Sequence, residues 1–149
     1  MARDALQLVY EQREKQVEQA LYAYQKSQKM LFEQRKQLQN LSQYRQQYIS
    51  QLTAKGGEGL SISELAKYQR FIMQIDEGIT NQQQSMVKFE YDVQASKKHW
   101  LDSQVSCKAL LMLLEKKAQQ NAKIADRKEQ QLLDEFSTFQ FFQKSAPRR

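Results

Sequence analysis

Three of the chain's four glycines stand in TAKGGEGLS, residues 53–61. A glycine-rich run can cradle a phosphate with its backbone amides, which makes this stretch the candidate for nucleotide chemistry. The residues that follow do not supply it. GGEG leads into Leu60, Ser61 and Ile62, giving neither the GxxxxGK of a phosphate loop nor the GxGxxG of a dinucleotide fold. The single histidine, His99, has no second imidazole with which to hold a metal and no matched nucleophile to activate. The single cysteine, Cys107, leaves no intrachain disulfide and no cysteine-based metal cluster, and a reducing compartment is the natural setting. Carboxylates are common, but they lie at helical spacing from Lys and Arg, where they support a helix. The residues point away from an enzyme, and no cofactor is expected.

The glycines therefore serve another purpose. Outside this cluster the chain has only Gly78, and its one proline is Pro147, close to the end of 149 residues. Helix interiors avoid both residue types, because proline lacks an amide donor and glycine costs backbone entropy. Gln, Glu, Lys, Leu and Ala fill the intervening sequence, and all are good helix formers. Hydrophobic residues make up 40 % and mean hydropathy is −0.81, too polar for a thick core and suited to a thin helical assembly with one apolar stripe. No apolar run approaches the ~20 residues of a membrane span. The longest is ALLMLL at 109–114. MARDALQLVYEQREKQ soon becomes charged and does not read as a signal peptide.

Apolar residues recur every seven. One column is Tyr10, Val17, Tyr24, Leu31, Leu38, Arg45 and Leu52, apolar except at Arg45. A second is Leu65, Ile72, Ile79, Met86, Val93, Trp100, Cys107 and Leu114, apolar throughout. Companion columns three residues on are weaker, with Arg13, Ala20, Ser27, Gln34, Leu41 and Tyr48 in the first half and Tyr68, Ile75, Gln82, Phe89, Ser96, Ser103 and Leu110 in the second. Heptads sustained over this length predict a coiled coil.

The two columns flank the glycines. Gly56, Gly57 and Gly59 are expected to break the helix and provide the positive φ of a reversal, with Ser61 or Ser63 capping the second helix and Ser61 with Glu64 fitting a capping box. The expected fold is all-α: a long two-helix antiparallel coiled-coil hairpin, one domain over 1–149, monomeric. Helix one is placed at about 3–53, the turn at 54–61, helix two at about 62–142 and a disordered tail at 143–149. Its register should pair residues whose numbers sum to roughly 115–120, setting Leu38 near Ile79 and Val17 near Trp100. The second column turns polar after Leu114, at Asn121, Lys128 and Glu135, where the partner helix would run out.

Binding surface is what remains. Leu41, Tyr44 and Tyr48 follow helical spacing on helix one, as do Phe71 and Ile75 on helix two. Two readings stand open: these residues widen the core, or they form a docking patch, in which case Phe71→Ala or Tyr44→Ala should leave melting almost unchanged. FSTFQFF at 136–142 is open in the same way, as a docking segment or as a plug folded onto the hairpin base. The net charge of +6 gathers late, at Lys116, Lys117, Lys123, Arg127 and Lys128 among others, and suits an acidic partner.

YRQQYISQL at 44–52, the glycine turn and YQRFIMQIDEGI at 68–79 resemble the flagellar FliJ family, a soluble coiled-coil component of the flagellar type III export apparatus. The resemblance implies an antiparallel coiled coil similar to that of the rotary ATPase γ subunit. It implies a cytoplasmic protein, peripherally associated with the inner-membrane export apparatus. Its partners would be the hexameric export ATPase, the cytoplasmic domain of the export gate, and export chaperones. The family's gate-binding surface falls here on Gln37, Leu41, Tyr44, Tyr48, Phe71, Ile75, Gly78 and Gln82, and the ATPase-facing part on the termini, where the basic residues lie. Two rival readings are an analogous stalk protein of a virulence secretion system and a generic basic coiled-coil scaffold or nucleic-acid binder. The aromatic set around the turn favours the flagellar version. The interspersed acids disfavour nucleic acid.

Overall fold

The computed structural model describes residues 5–145. They form two α-helices, α1 (Ala5–Glu58) and α2 (Ile62–Ser145), with no strand among the described residues. Packing divides the chain into two compact units. One comprises residues 15–104 and contains the turn; the other combines the described residues before 15 with those after 104.

In the unit that contains the turn, α1 and α2 pack antiparallel as the heptads require. Ala20, Leu31, Ile75, Met86 and Val93 are its buried residues, and each lies on one of the four columns. Leu31, Met86 and Val93 cluster, with Tyr24, Leu38 and Phe89 packed against them. A seam between two helices is one layer thick, so most column residues are only half-buried. Fully burying a side chain of this size stabilises by roughly 1.5–3 kcal/mol. The seam's serines satisfy themselves locally: the Ser27 and Ser96 hydroxyls donate to the Ala23 and Val93 carbonyls at 3.0 and 3.1 Å. Leu65, expected to begin the second column, is exposed; burial on this helix starts at Tyr68.

The register is broader than the sequence predicts. Leu31 shares its cluster with both Met86 and Val93. Trp100, expected near Val17, stacks on Tyr24, one heptad closer to the turn, with ring centroids 5.6 Å apart. In knobs-into-holes packing each side chain enters a hole bordered by residues one heptad apart, so every residue has two partners seven positions apart. Polar side chains also mark the register. The Gln82 side-chain amide donates to the Gln34 side-chain oxygen, and Arg45, the charged exception in its column, forms an ion pair with Asp76. Both Arg45 and Asp76 remain more than a third exposed, so their pair adds at most about 1 kcal/mol. Its role is to let a charge occupy a seam position.

The turn is tighter than expected. α1 continues through Gly56 and Gly57 to Glu58, and only Gly59 has positive φ, at 96°. The Gly59 amide donates to the Gly56 carbonyl at 3.3 Å, closing the last turn of α1. One left-handed residue suffices to end a helix, and α2 begins immediately on its own cap. The Ser61 hydroxyl accepts from the Glu64 amide at 3.2 Å, and the Ser61 carbonyl accepts from Leu65 at 3.0 Å. The three glycines should therefore differ on substitution. Gly59→Ala is expected to lower stability by about 1 kcal/mol, because alanine is strained at this φ. Gly57→Ala has open space around its Cβ and should be neutral or stabilising by up to about 1 kcal/mol. Thermal melts of the two variants check this, and equal effects would refute it.

In the other unit, Gln7 and Tyr10 of α1 line a shallow groove with Leu111 and Leu114 of α2. Desolvation pushes the Tyr10 hydroxyl above its ordinary pKa, and repulsion from Glu14 adds to this. From Glu115 to Ser145 α2 is helical and every residue is exposed. The tail expected to be disordered from 143 is thus helical at Gln143–Ser145, where the Ser145 hydroxyl folds back onto the Phe142 carbonyl. The remainder of that tail, with Pro147, lies outside the described residues.

Candidate functional site

Three of the expected docking residues, Tyr44, Tyr48 and Phe71, come together near the turn, from both helices. Four rings meet there. Tyr48 and Phe71 have centroids 4.6 Å apart, Tyr48 and Tyr68 5.1 Å, and Tyr44 meets Phe71 edge-on at 6.1 Å. The Lys55 ammonium sits 5.3 Å from the centre of the Tyr68 ring, and its hydrogen bond to Tyr68 holds its pKa above the usual lysine range. Each aromatic pair is worth about 0.5–1.5 kcal/mol beyond its buried area.

Heptad position separates surface from floor. Gln37, Tyr44, Phe71 and Gly78 occupy the g positions of their helices, and the Tyr44–Phe71 contact places the two g rows along one edge of the hairpin. Leu41, Tyr48, Ile75 and Gln82 occupy the d positions, which turn into the seam. Gln37 and Tyr44 are exposed, and Phe71 is half-buried between Tyr44 and Tyr48. Apart from its own stretch of helix backbone, nothing lies within 4 Å of the place a Cβ would take at Gly78. Two expected docking residues have other duties. Ile75 is 7 % exposed and belongs to the core, and Gln82 is engaged with Gln34 across the seam. The expectation that Phe71→Ala would leave melting unchanged also needs correction, since the ring is wedged between two tyrosines. Sequence reasoning missed Tyr68 as a member of the cluster. Its column position beside the turn, opposite Tyr48, was the available signal.

The chain's other candidate surface is the exposed end of α2. Lys116, Lys123 and Arg127 fall on one helical face, and Lys117 and Lys128 on the adjacent one, all exposed. Phe136, Phe139, Phe141 and Phe142 are also exposed, so this segment does not fold back as a plug. Phe141 and Phe142 touch only edge to face, at 6.4 Å. Among the described residues, no helix is long and apolar enough to cross a membrane. His99 is exposed, and its carbonyl accepts from the Ser103 hydroxyl at 2.8 Å. Cys107 is a free, half-buried thiol.

The profile of the family described as Flagellar FliJ protein matches residues 1–146. The chain belongs to the FliJ family. The match spans the glycine turn, the aromatic edge and the exposed end of α2, so both candidate surfaces are parts of one FliJ protein. The family is a non-enzymatic flagellar component, and membership associates the chain with flagellar protein export. No curated protein sequence matches this FliJ-family chain.

Proposed function

We propose that this FliJ-family chain acts as the central-stalk-like coiled coil of the flagellar type III export apparatus. It promotes assembly of the hexameric export ATPase ring, couples the ring to the cytoplasmic domain of the export gate, and escorts export chaperones. It works on the cytoplasmic side, peripherally associated with the inner-membrane apparatus. The observation that carries this reading is the family match over residues 1–146. The division of surfaces supports it. The aromatic g edge beside the turn is the gate-binding end, with Gln37, Tyr44, Phe71 and Gly78 presented and Leu41, Tyr48, Ile75 and Gln82 beneath them. The exposed end of α2, with Lys116, Lys117, Lys123, Arg127 and Lys128, is the ATPase-facing end. Cations on an exposed helix raise the on-rate and orient the encounter with acidic loops.

Reversing charge at Lys123, Arg127 and Lys128 together, each to Glu, should reduce stimulation of the export ATPase at least tenfold at low salt. Binding to the gate's cytoplasmic domain should be unchanged. Both are measured on the purified proteins, with circular dichroism as the folding control. Full stimulation by the variant would overturn the assignment of this end.

A further inference from the structure

The hairpin unit has a second long edge, opposite the aromatic g edge. The Arg35–Glu90 ion pair, 3.9 Å across, joins the e positions of α1 and α2 and so defines it. Beside this pair lie b positions, where the sequence places large apolar residues that the seam does not use. Phe32 of α1 is 67 % exposed, and on α2 Val87 is 65 % and Leu101 43 % exposed. Tyr22 and Tyr91 stand one step further round at f positions, also exposed. On a coiled coil's outer rows polar residues are the rule, so apolar side chains repeated at one edge call for a partner.

Charge identifies the kind of partner. Lys29, Arg35, Lys36, Lys97 and Lys98 occupy the e and f positions around these apolar residues, with Glu90 as the carboxylate among them. At the far end of the edge Lys15 and Glu18 cancel. The opposite edge over the same residues differs in sign. Its g and c positions carry Lys26 and Lys88 against Glu33, Asp92 and Asp102. The basic excess is therefore one-sided, and it coincides with the exposed apolar residues. An edge whose apolar b residues lie between basic e and f positions matches a third helix bearing an apolar stripe flanked by carboxylates.

We infer that this e–b edge is a docking surface for an acidic amphipathic helix of a partner protein, distinct from the edge assigned to the export gate. It runs along the middle of residues 15–104, away from the aromatic ladder. It stands whether or not the ladder takes the gate, because none of its residues belongs to that set.

The test uses the full chain and two synthetic helical peptides with the same leucine stripe, one flanked by glutamates and the other by lysines, followed by fluorescence anisotropy. The glutamate peptide should bind at least tenfold more tightly than the lysine peptide. That binding should fall at least tenfold in the double variant Phe32→Ser, Val87→Ser, and again in Lys97→Glu, Lys98→Glu. These residues are exposed, so circular dichroism should show all variants folded. A photo-crosslinker at position 32 should capture the glutamate peptide, and one at Met30, on the opposite edge, should not. Equal affinity for the two peptides, binding unaffected by the double variants, or crosslinking from position 30 would overturn the proposal. So would a preference for anionic lipid vesicles or for single-stranded RNA over the glutamate peptide, since either shows a surface that reads negative charge alone.

Discussion

Met86→Asp should unfold the hairpin unit. Met86 is 7 % exposed and sits in the cluster with Leu31 and Val93, with Tyr24, Leu38 and Phe89 packed against it. A carboxylate there is either ionised and unpaired or protonated at a cost, and in both cases the apolar contacts of the methionine are lost. The expected loss is about 3–5 kcal/mol, a large part of the stability of a single domain. Urea melts followed by circular dichroism should show the midpoint collapse. Gln83→Asp, at an exposed position in the same turn of α2, should shift stability by no more than about 0.5 kcal/mol. Equal losses in the two variants would mean that the heptad frame, and with it the placement of every seam residue, is wrong.

Tyr44→Ala should weaken binding to the export gate's cytoplasmic domain by about 10- to 100-fold, or 1.4–2.8 kcal/mol, with the chain still folded. Tyr44 is 46 % exposed and packs on Tyr48 and Phe71 from outside the seam, so its removal costs two ring contacts, about 1–3 kcal/mol. Phe71→Ala should behave differently. It takes away the ring that Tyr44 and Tyr48 share, and so should lose both binding and about 2–3 kcal/mol of stability. Calorimetric titration for binding and thermal melts for stability separate the two effects. A folded Tyr44→Ala variant that binds the gate domain as tightly as the parent would remove the aromatic edge from the proposed function.

The aromatic edge also explains why the sequence left two readings open. Core widening and docking looked like alternatives because Leu41, Tyr44, Tyr48, Phe71 and Ile75 all follow helical spacing. Heptad position divides them: d residues such as Ile75 and Gln82 turn into the seam, and g residues such as Tyr44 stand on its edge. Heptad position along each helix separates these rows, but not how far a g residue is covered. The second helix decides that: Phe71 is half-buried between Tyr44 and Tyr48, while Tyr44 is exposed.

What the sequence determined by itself is local and periodic. Avoidance of Gly and Pro allowed two helices, the heptad columns selected the faces that meet, and Ser61 three residues before Glu64 set the start of α2. Each of these depends on residues within a few turns of one another, where propensity, capping and amphipathicity act directly. Only the tertiary structure decided the rest. That Gly59 alone takes the reversal, while Gly56 and Gly57 remain helical, depends on where the two helices must meet. That Trp100 stacks on Tyr24, that Arg45 finds Asp76 and that Gln34 finds Gln82 depends on register. A heptad repeat is compatible with shifts of a whole heptad, because the apolar pattern repeats at each step. The choice among them rests on the few polar and aromatic side chains that must find partners across the seam, and these pairings exist only once both helices are in place.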